Sequence, residues 1–342
     1  MTLLATLAGD TEIEALLSDS AELDALLAVE RALAEASAEA GWIRAESAAA
    51  IAAAIADFVP DWPELVAAMA RDGVVVPALL RQLRQQLAEP HRDALHRGAT
   101  SQDIVDTALV LRLARILDRL DSRLEGLLGR LGQLARESGD RPLIAHTRMQ
   151  VALPTTWGAK LSSWSEPLVR HQSALRAMRP QLLTVQLGGP VGDRASFNGS
   201  GDAIAAGMDR RLGLGTASPW HATRDPIVGL GGRLALISGS LGKLGSDVAL
   251  LTQNEVAALR LEGGGGSSAM AHKSNPVNAE VLVALARFNA GLAGTLQQAM
   301  VHEYERSGAA WTLEWLTLPQ MLVTTGASLR RAETLLDQLR IA

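Results

Sequence analysis

The sequence predicts an all-α protein, on three observations. Ala and Leu dominate, and aromatics are only 3% of the 342 residues, with one Tyr and three Phe; this is a composition of helix formers. Apolar residues recur three and four apart over long stretches. Val74-Val75-Val76-Pro77 is the only strong strand-like run, and it is short.

Over residues 21–40 the apolar positions Leu23, Leu26, Leu27, Leu33 and Ala34 follow helical spacing, interrupted once by Glu30, with Gly41 as the stop. Residues 104–137 carry a longer amphipathic pattern, from Ile104 through Leu113, Ile116, Leu120 and Leu124 to Leu131, closed near Gly139. A helix of that length spans a whole bundle. Further long patterns cover residues 155–179, 225–261, 278–306 and 311–339. Five long helices predict one elongated bundle over residues 100–342, preceded by a smaller N-terminal helical domain over residues 1–99. Glycine-rich stretches at 187–192, 199–201 and 263–268 punctuate it and do not repeat one another.

With 32 Lys+Arg against 37 Asp+Glu and no basic block, bulk electrostatics give no purchase on nucleic acid or an anionic membrane. An anionic ligand must be held by a few placed cations. The absence of Cys excludes disulfides, thiolate nucleophiles, Cys-ligated zinc and iron–sulfur clusters. No histidine pair has the i, i+4 spacing of a helical zinc site, so neither a metal nor another cofactor is expected. The apolar start up to Leu7 has no basic flank and runs into Asp10, Glu12 and Glu14, unlike a secretory signal. No unbroken apolar run reaches the roughly 18 residues of a membrane span. A cytoplasmic protein is expected.

Three separated segments concentrate polar groups at helix starts or loops. Gly98-Ala99-Thr100-Ser101-Gln102-Asp103 opens the first long helix, where free N–H groups and hydroxyls suit a carboxylate or phosphate; taken alone, Thr100 with Asp103 reads first as a plain cap. His146-Thr147-Arg148-Met149-Gln150 leads into Pro154-Thr155-Thr156-Trp157, a second helix start, and the same residues fit an ordinary polar surface. Residues 263–280 run from four glycines into Ser267, Ser268, His272, Lys273, Asn275 and Glu280. They read as a flexible connector or as a mobile lid, hinged at its glycines, that carries reactive groups. His91, His171 and His221 read as surface or packing residues, and Trp311 with Trp315 as bundle packing.

These three segments resemble the signature regions of the fumarase/aspartase superfamily. Gly266-Ser267-Ser268-Ala269-Met270-Ala271-His272-Lys273-Ser274-Asn275-Pro276 departs from that family's Gly-Ser-Ser-x-Met-Pro-x-Lys-x-Asn-Pro only at Ala271. Order and spacing agree, and the resemblance spans nearly the whole chain. Within the superfamily, residues 302–306 (His-Glu-Tyr-Glu-Arg), Trp311, Glu314-Trp315, Pro219-Trp220-His221 and Arg224-Asp225 resemble the 3-carboxy-cis,cis-muconate cycloisomerases. Family members usually continue into a third, C-terminal helical domain, and this chain stops at Ala342.

The resemblance implies a homotetramer with each active site assembled from three chains, acting on a small polycarboxylate through a carbanion delocalised into a carboxylate. It implies that Ser267 transfers the proton, that Lys273 and Asn275 hold the carboxylate, and that Thr100, Ser101 and Asp103 bind substrate, with His96 beside them. Arg148 stands where amine-expelling relatives carry a histidine after the threonine. Arginine is no general acid at neutral pH, so Arg148 fits lactone formation, binding a substrate carboxylate with Gln150 and pairing with Glu280. The expected activity is a cofactor-independent cycloisomerase that forms a carboxymuconolactone, with a sulfomuconate as a related substrate. An adenylosuccinate-type lyase is the alternative on the same fold, and a catalytically silent structural relative the alternative of another class.

Overall fold

The computed structural model describes residues 3–266, 268–270 and 273–342. Short helices α1 (Leu3–Ala8) and α2 (Thr11–Leu16) precede α3 (Asp19–Glu39), α4 (Ala45–Ala56), α5 (Trp62–Asp72), α6 (Val76–Gln85) and α7 (Glu89–Arg92). Then come α8 (Ser101–Ser138), a hairpin of β1 (Pro142–Thr147) and β2 (Gln150–Thr156), α9 (Trp157–Leu182), α10 (Gly201–Leu212) and α11 (Asp225–Leu251). The short strand β3 (Leu259–Leu261), α12 (Val277–Gln298), α13 (Gly308–Gln338) and β4 (Leu339–Ile341) complete the chain.

The long helices form the bundle: α11 packs on α9, α12 and α13, and α8 on α9 and α13. Their buried seams keep a seven-residue period. On α8, Leu113, Leu117, Leu120, Leu124, Leu127 and Leu131 alternate steps of four and three, as do Leu230, Leu234, Ile237, Leu241, Leu244 and Val248 on α11. None is more than 1% exposed. A 3.5-residue repeat on helices of natural period 3.6 gives left-handed, knobs-into-holes packing. One polar layer interrupts it: Asn289 of α12 donates to Ser238 Oγ of α11 at 2.8 Å and to Thr325 Oγ1 of α13 at 3.0 Å, all three buried.

A second core joins α3–α6 to residues from beyond position 99, including Ile104, Val105, Phe197, Met208 and Trp311. The N-terminal helices are therefore built directly onto the start of α8.

The structure is mostly helical, with local corrections. Val76 and Pro77 begin α6, because proline's fixed φ and missing N–H suit a first helical turn. The strands lie elsewhere, in the hairpin and in β3 paired with β4. The pattern over residues 225–261 divides: α11 ends at Leu251, and the apolar Leu259 continues it as a strand buried in the bundle core. Likewise α12 ends at Gln298 rather than 306. Both α11 and α12 are long and apolar enough to cross a membrane by length and composition alone, although no unbroken apolar run suggested it. Each contributes to the bundle core.

Candidate active site

The first polar segment is organised by Asp103, which is wholly buried. One carboxylate oxygen accepts from the Gly188 N–H at 2.7 Å and His221 Nε2 at 2.8 Å; the other accepts from the N–H groups of Thr100 and Gly189, at 2.9 and 3.0 Å. The last contact requires glycine geometry, because Gly189 has φ +73° and a Cβ on Gly188 would lie 2.7 Å from the His221 ring. Asp103 thus fastens the start of α8 to the 187–192 loop, with no oxygen left pointing outward. Thr100 and Ser101 remain partly exposed at the helix N-terminus, where unsatisfied N–H groups favour an anion.

One turn on, Asp106 enters a second buried cluster. The Arg224 guanidinium, 1% exposed, donates twice to Asp106 (2.7 and 3.1 Å) and twice to Glu314 (3.0 and 2.6 Å). Burial works against its charge, yet Asp106 and Glu314 outweigh burial and hold the guanidinium protonated beyond its ordinary range. Trp311 Nε1 donates to Asp106, and the Trp220 ring stacks on Arg224 with its centroid 4.8 Å away. Gln102 bridges to Arg306, which donates to its Oε1 at 2.8 Å and to the Pro190 carbonyl. In the sequence Asp106 was passed over, its only signal a charge inside the apolar stripe of α8, while Gln102 and Arg306 stood within the first polar segment and the 302–306 motif without being given a role.

His96 adopts φ +62° and its side chain is 12% exposed. Nδ1 lies 2.7 Å from Oε1 of the buried Glu30. The interruption at Glu30 was visible in the sequence; its partner, 66 residues away, was not.

The second segment is a β-hairpin turn. Thr147 pairs with Gln150, leaving Arg148 and Met149 as a two-residue loop with φ +49° and +65°. Positive φ at both central residues is the type I′ pattern, normally filled by Asn-Gly. Arg148 and Gln150 are exposed and border a cleft of about 840 Å³ together with His146, Lys160 and Asp247. Burial tends to raise the Asp247 carboxyl, but Lys243, the Trp164 N–H and Lys160 outweigh it and hold Asp247 below its ordinary range.

In the third segment, Ser267 and His272 lie outside the described residues. The backbones of Gly265 and Asn275 pair at 2.9 and 2.8 Å, closing the neck of the loop. A Cβ on Gly264 would meet Ser274 Oγ at 2.1 Å, and one on Gly265 would meet Val277 at 2.5 Å. A side chain at either of these two glycines would displace a neighbouring one, so both are closely packed where free hinges were expected. The Asn275 amide donates to the Gly266 carbonyl at 3.3 Å, while Lys273 and Glu280 are exposed.

The chain does not gather the three segments. Asn275 borders a smaller cavity with Gly263, Asn278 and Arg331, distinct from the cleft at Arg148. The 38 residues of α8 span about 57 Å, and a six-residue strand reaches back only about 20 Å. Ser101 and Arg148 of one chain therefore cannot touch the same small molecule, and no ion pair joins Arg148 to Glu280 among the described residues.

A sequence model for a family described as Lyase matches residues 11–288. The 3-carboxy-cis,cis-muconate cycloisomerase of Pseudomonas aeruginosa is 39% identical over 336 residues, covering 96% of this chain and 73% of that protein. The nitrosuccinate lyase of Streptomyces davaonensis is 35% identical, covering 99% of this chain and 74% of its own. The crystal structure of the 3-carboxy-cis,cis-muconate lactonizing enzyme from Pseudomonas putida matches with a TM-score of 0.91 at 36% identity, over 99% of this chain and 77% of that one.

Proposed function

Because the chain belongs to the lyase family of the fumarase/aspartase superfamily, we propose that it converts 3-carboxy-cis,cis-muconate to a carboxymuconolactone, acting as an intramolecular lyase. The observation that carries this reading is the 39% identity, over 96% of the chain, to a cycloisomerase of that substrate. Arg148 supports it against expulsion of an amine, because guanidinium cannot act as a general acid at neutral pH.

One substrate carboxylate oxygen bonds to a carbon of the double bond conjugated with a second carboxylate. The π pair moves to the α carbon, spreads into that carboxylate, and then takes up a proton. A trianion plus one proton gives a dianionic lactone, so each turnover consumes one proton. In this scheme Ser267 delivers the proton. Lys273 and Asn275 stabilise the carboxylate on which charge collects. Arg148 and Gln150 orient a second carboxylate by the planar fork and the amide, and Thr100, Ser101 and His96 receive the third at the N-terminus of α8. Asp103 acts through the segment it fastens, and Glu280 pairs with Arg148 from another copy.

The site is completed in a homotetramer. What supports this is the separation of Ser101 from Arg148 by the length of α8, and apolar side chains left half exposed on bundle helices, such as Leu236 and Phe288.

The test is an ultraviolet assay in weak buffer. Loss of the conjugated diene with uptake of about one proton per molecule, unaccompanied by turnover of adenylosuccinate, is the expected result. Turnover of adenylosuccinate, or of neither compound, rejects the reading, and a sulfomuconate run in parallel compares sulfonate with carboxylate. Ser267→Ala should abolish turnover and leave assembly size unchanged.

A further inference from the structure

We propose that Glu30 is a positioning residue for His96, its buried carboxylate gripping Nδ1 so that Nε2 is presented as a hydrogen-bond donor to a substrate carboxylate beside the start of α8. The inference rests on the assignment of His96 to the substrate site.

Glu30 occupies a core position. It lies on α3 between Val29 and the apolar Ala32, Leu33 and Ala34, with no measurable exposure. Its Oε2 has no hydrogen-bond partner, and its Oε1 has only His96 Nδ1, at 2.7 Å. An isolated buried carboxylate is costly, and a leucine there would pack without that cost. A second cost falls on His96 itself, a non-glycine residue at φ +62°. That backbone is held by the turn from the Ala99 N–H to the His96 carbonyl, and by Gly98, where a Cβ would lie 2.8 Å from the Phe197 ring. Two unfavourable features converge on the orientation of one imidazole.

The charged groups facing that ring are Glu30 from α3, Asp103 from α8 and Arg84 from α6. Burial disfavours the charged ring and Arg84 opposes it too, but Glu30 first and Asp103 second outweigh them, so His96 holds its proton to higher pH than an ordinary histidine. With Nδ1 committed to Glu30, Nε2 makes no hydrogen bond among the described residues, and it is not one of the solvent-sealed polar atoms. While the ring is protonated its second N–H, at Nε2, is free for a ligand, and Glu30 extends to higher pH the range over which that donor is present. The carboxylate fixes which nitrogen faces outward and favours the protonated form of the ring.

The experiment follows His96 in the assembled protein by NMR of histidine labelled with carbon-13 at Cε1, with the resonance assigned by its loss in His96→Asn. In Glu30→Gln the His96 titration midpoint should fall by about one pH unit, a roughly tenfold loss of proton affinity. The alkaline limb of kcat/KM for carboxymuconate should move down by the same amount, with KM rising more than kcat falls. Glu30→Leu, confirmed as assembled, is the second variant: with no carboxylate to hold Nδ1 it should also lose kcat/KM about tenfold. An unchanged His96 midpoint in Glu30→Gln overturns the proposal, as does unchanged kcat/KM in both variants across pH. Failure of the unmodified protein to turn over carboxymuconate would reject the reading of function, while the NMR midpoints would still decide whether Glu30 governs His96.

Discussion

Nε2 of His221 sits 2.8 Å from Oδ1 of Asp103, and that contact shows what Asp103 does: each of its two carboxylate oxygens accepts two N–H donors, so the residue is a fastener of the site. In Asp103→Asn one oxygen becomes an NH2 group facing donors it cannot accept from. Stability to urea should fall by about 3 kcal/mol, and turnover with it. Ser101→Ala should lose turnover with an unchanged urea midpoint. Equal midpoints for Asp103→Asn and the unmodified protein would show that the fastening is unimportant.

Arg224 lies between two buried carboxylates, and removing it leaves both uncompensated. Arg224→Ala should cost about 3–5 kcal/mol, read by denaturant unfolding. Arg224→Lys should recover only part, because an ammonium cannot reproduce four forked contacts. A loss under about 1 kcal/mol would mean that Asp106 and Glu314 find other partners.

Arg148 and Met149 hold positive φ where Asn-Gly is favoured, so function and stability should separate at this turn. Met149→Gly should raise the melting temperature and retain turnover, the gain being about 1 kcal/mol or less. Arg148→Asn should also raise it, while raising KM and lowering kcat. Full activity in Arg148→Asn would remove Arg148 from the site.

Asp247 is held below its ordinary range, with Lys243 and the Trp164 N–H outweighing burial. A depressed carboxyl contributes stability above its unfolded titration range, and that contribution is lost as pH falls through the folded one. Asp247→Asn should therefore be less stable by about 1 kcal/mol at pH 7, with the gap closing as pH falls below 3.8, the ordinary value for an aspartate carboxyl. Urea midpoints from pH 7 to 3 provide the measurement. A gap independent of pH would assign the loss to packing.

Legibility in the sequence followed the range of the interactions involved. The first long helix was readable because its signals are local: Thr100 and Asp103 at one end, Gly139 at the other, and a leucine every third or fourth residue between. The hairpin was not, because its turn is Arg-Met and half of its apolar residues face outward. Val74 to Val76 misled for a related reason, since β-branched residues suggest a strand and the following proline starts a helix. The Arg224 cluster draws on positions 106, 224, 311 and 314, and Glu30 with His96 on two helical layers. No window along the chain could join them; only the resemblance drew notice to Arg224, Trp311 and Glu314.

The Asn289 layer has a consequence for the segment that leads into α12. Leucine seams with a seven-residue period tolerate sliding by a whole repeat, since every knob finds an equivalent hole. One buried amide that must meet Ser238 on one neighbour and Thr325 on another admits only a single axial setting. A slip of one repeat would carry Pro276, and with it Asn275 and Lys273, about 10 Å along the bundle axis. The buried amide therefore serves as the datum from which the height of the third segment is set, twenty ångströms or so of helix away from the groups it aligns.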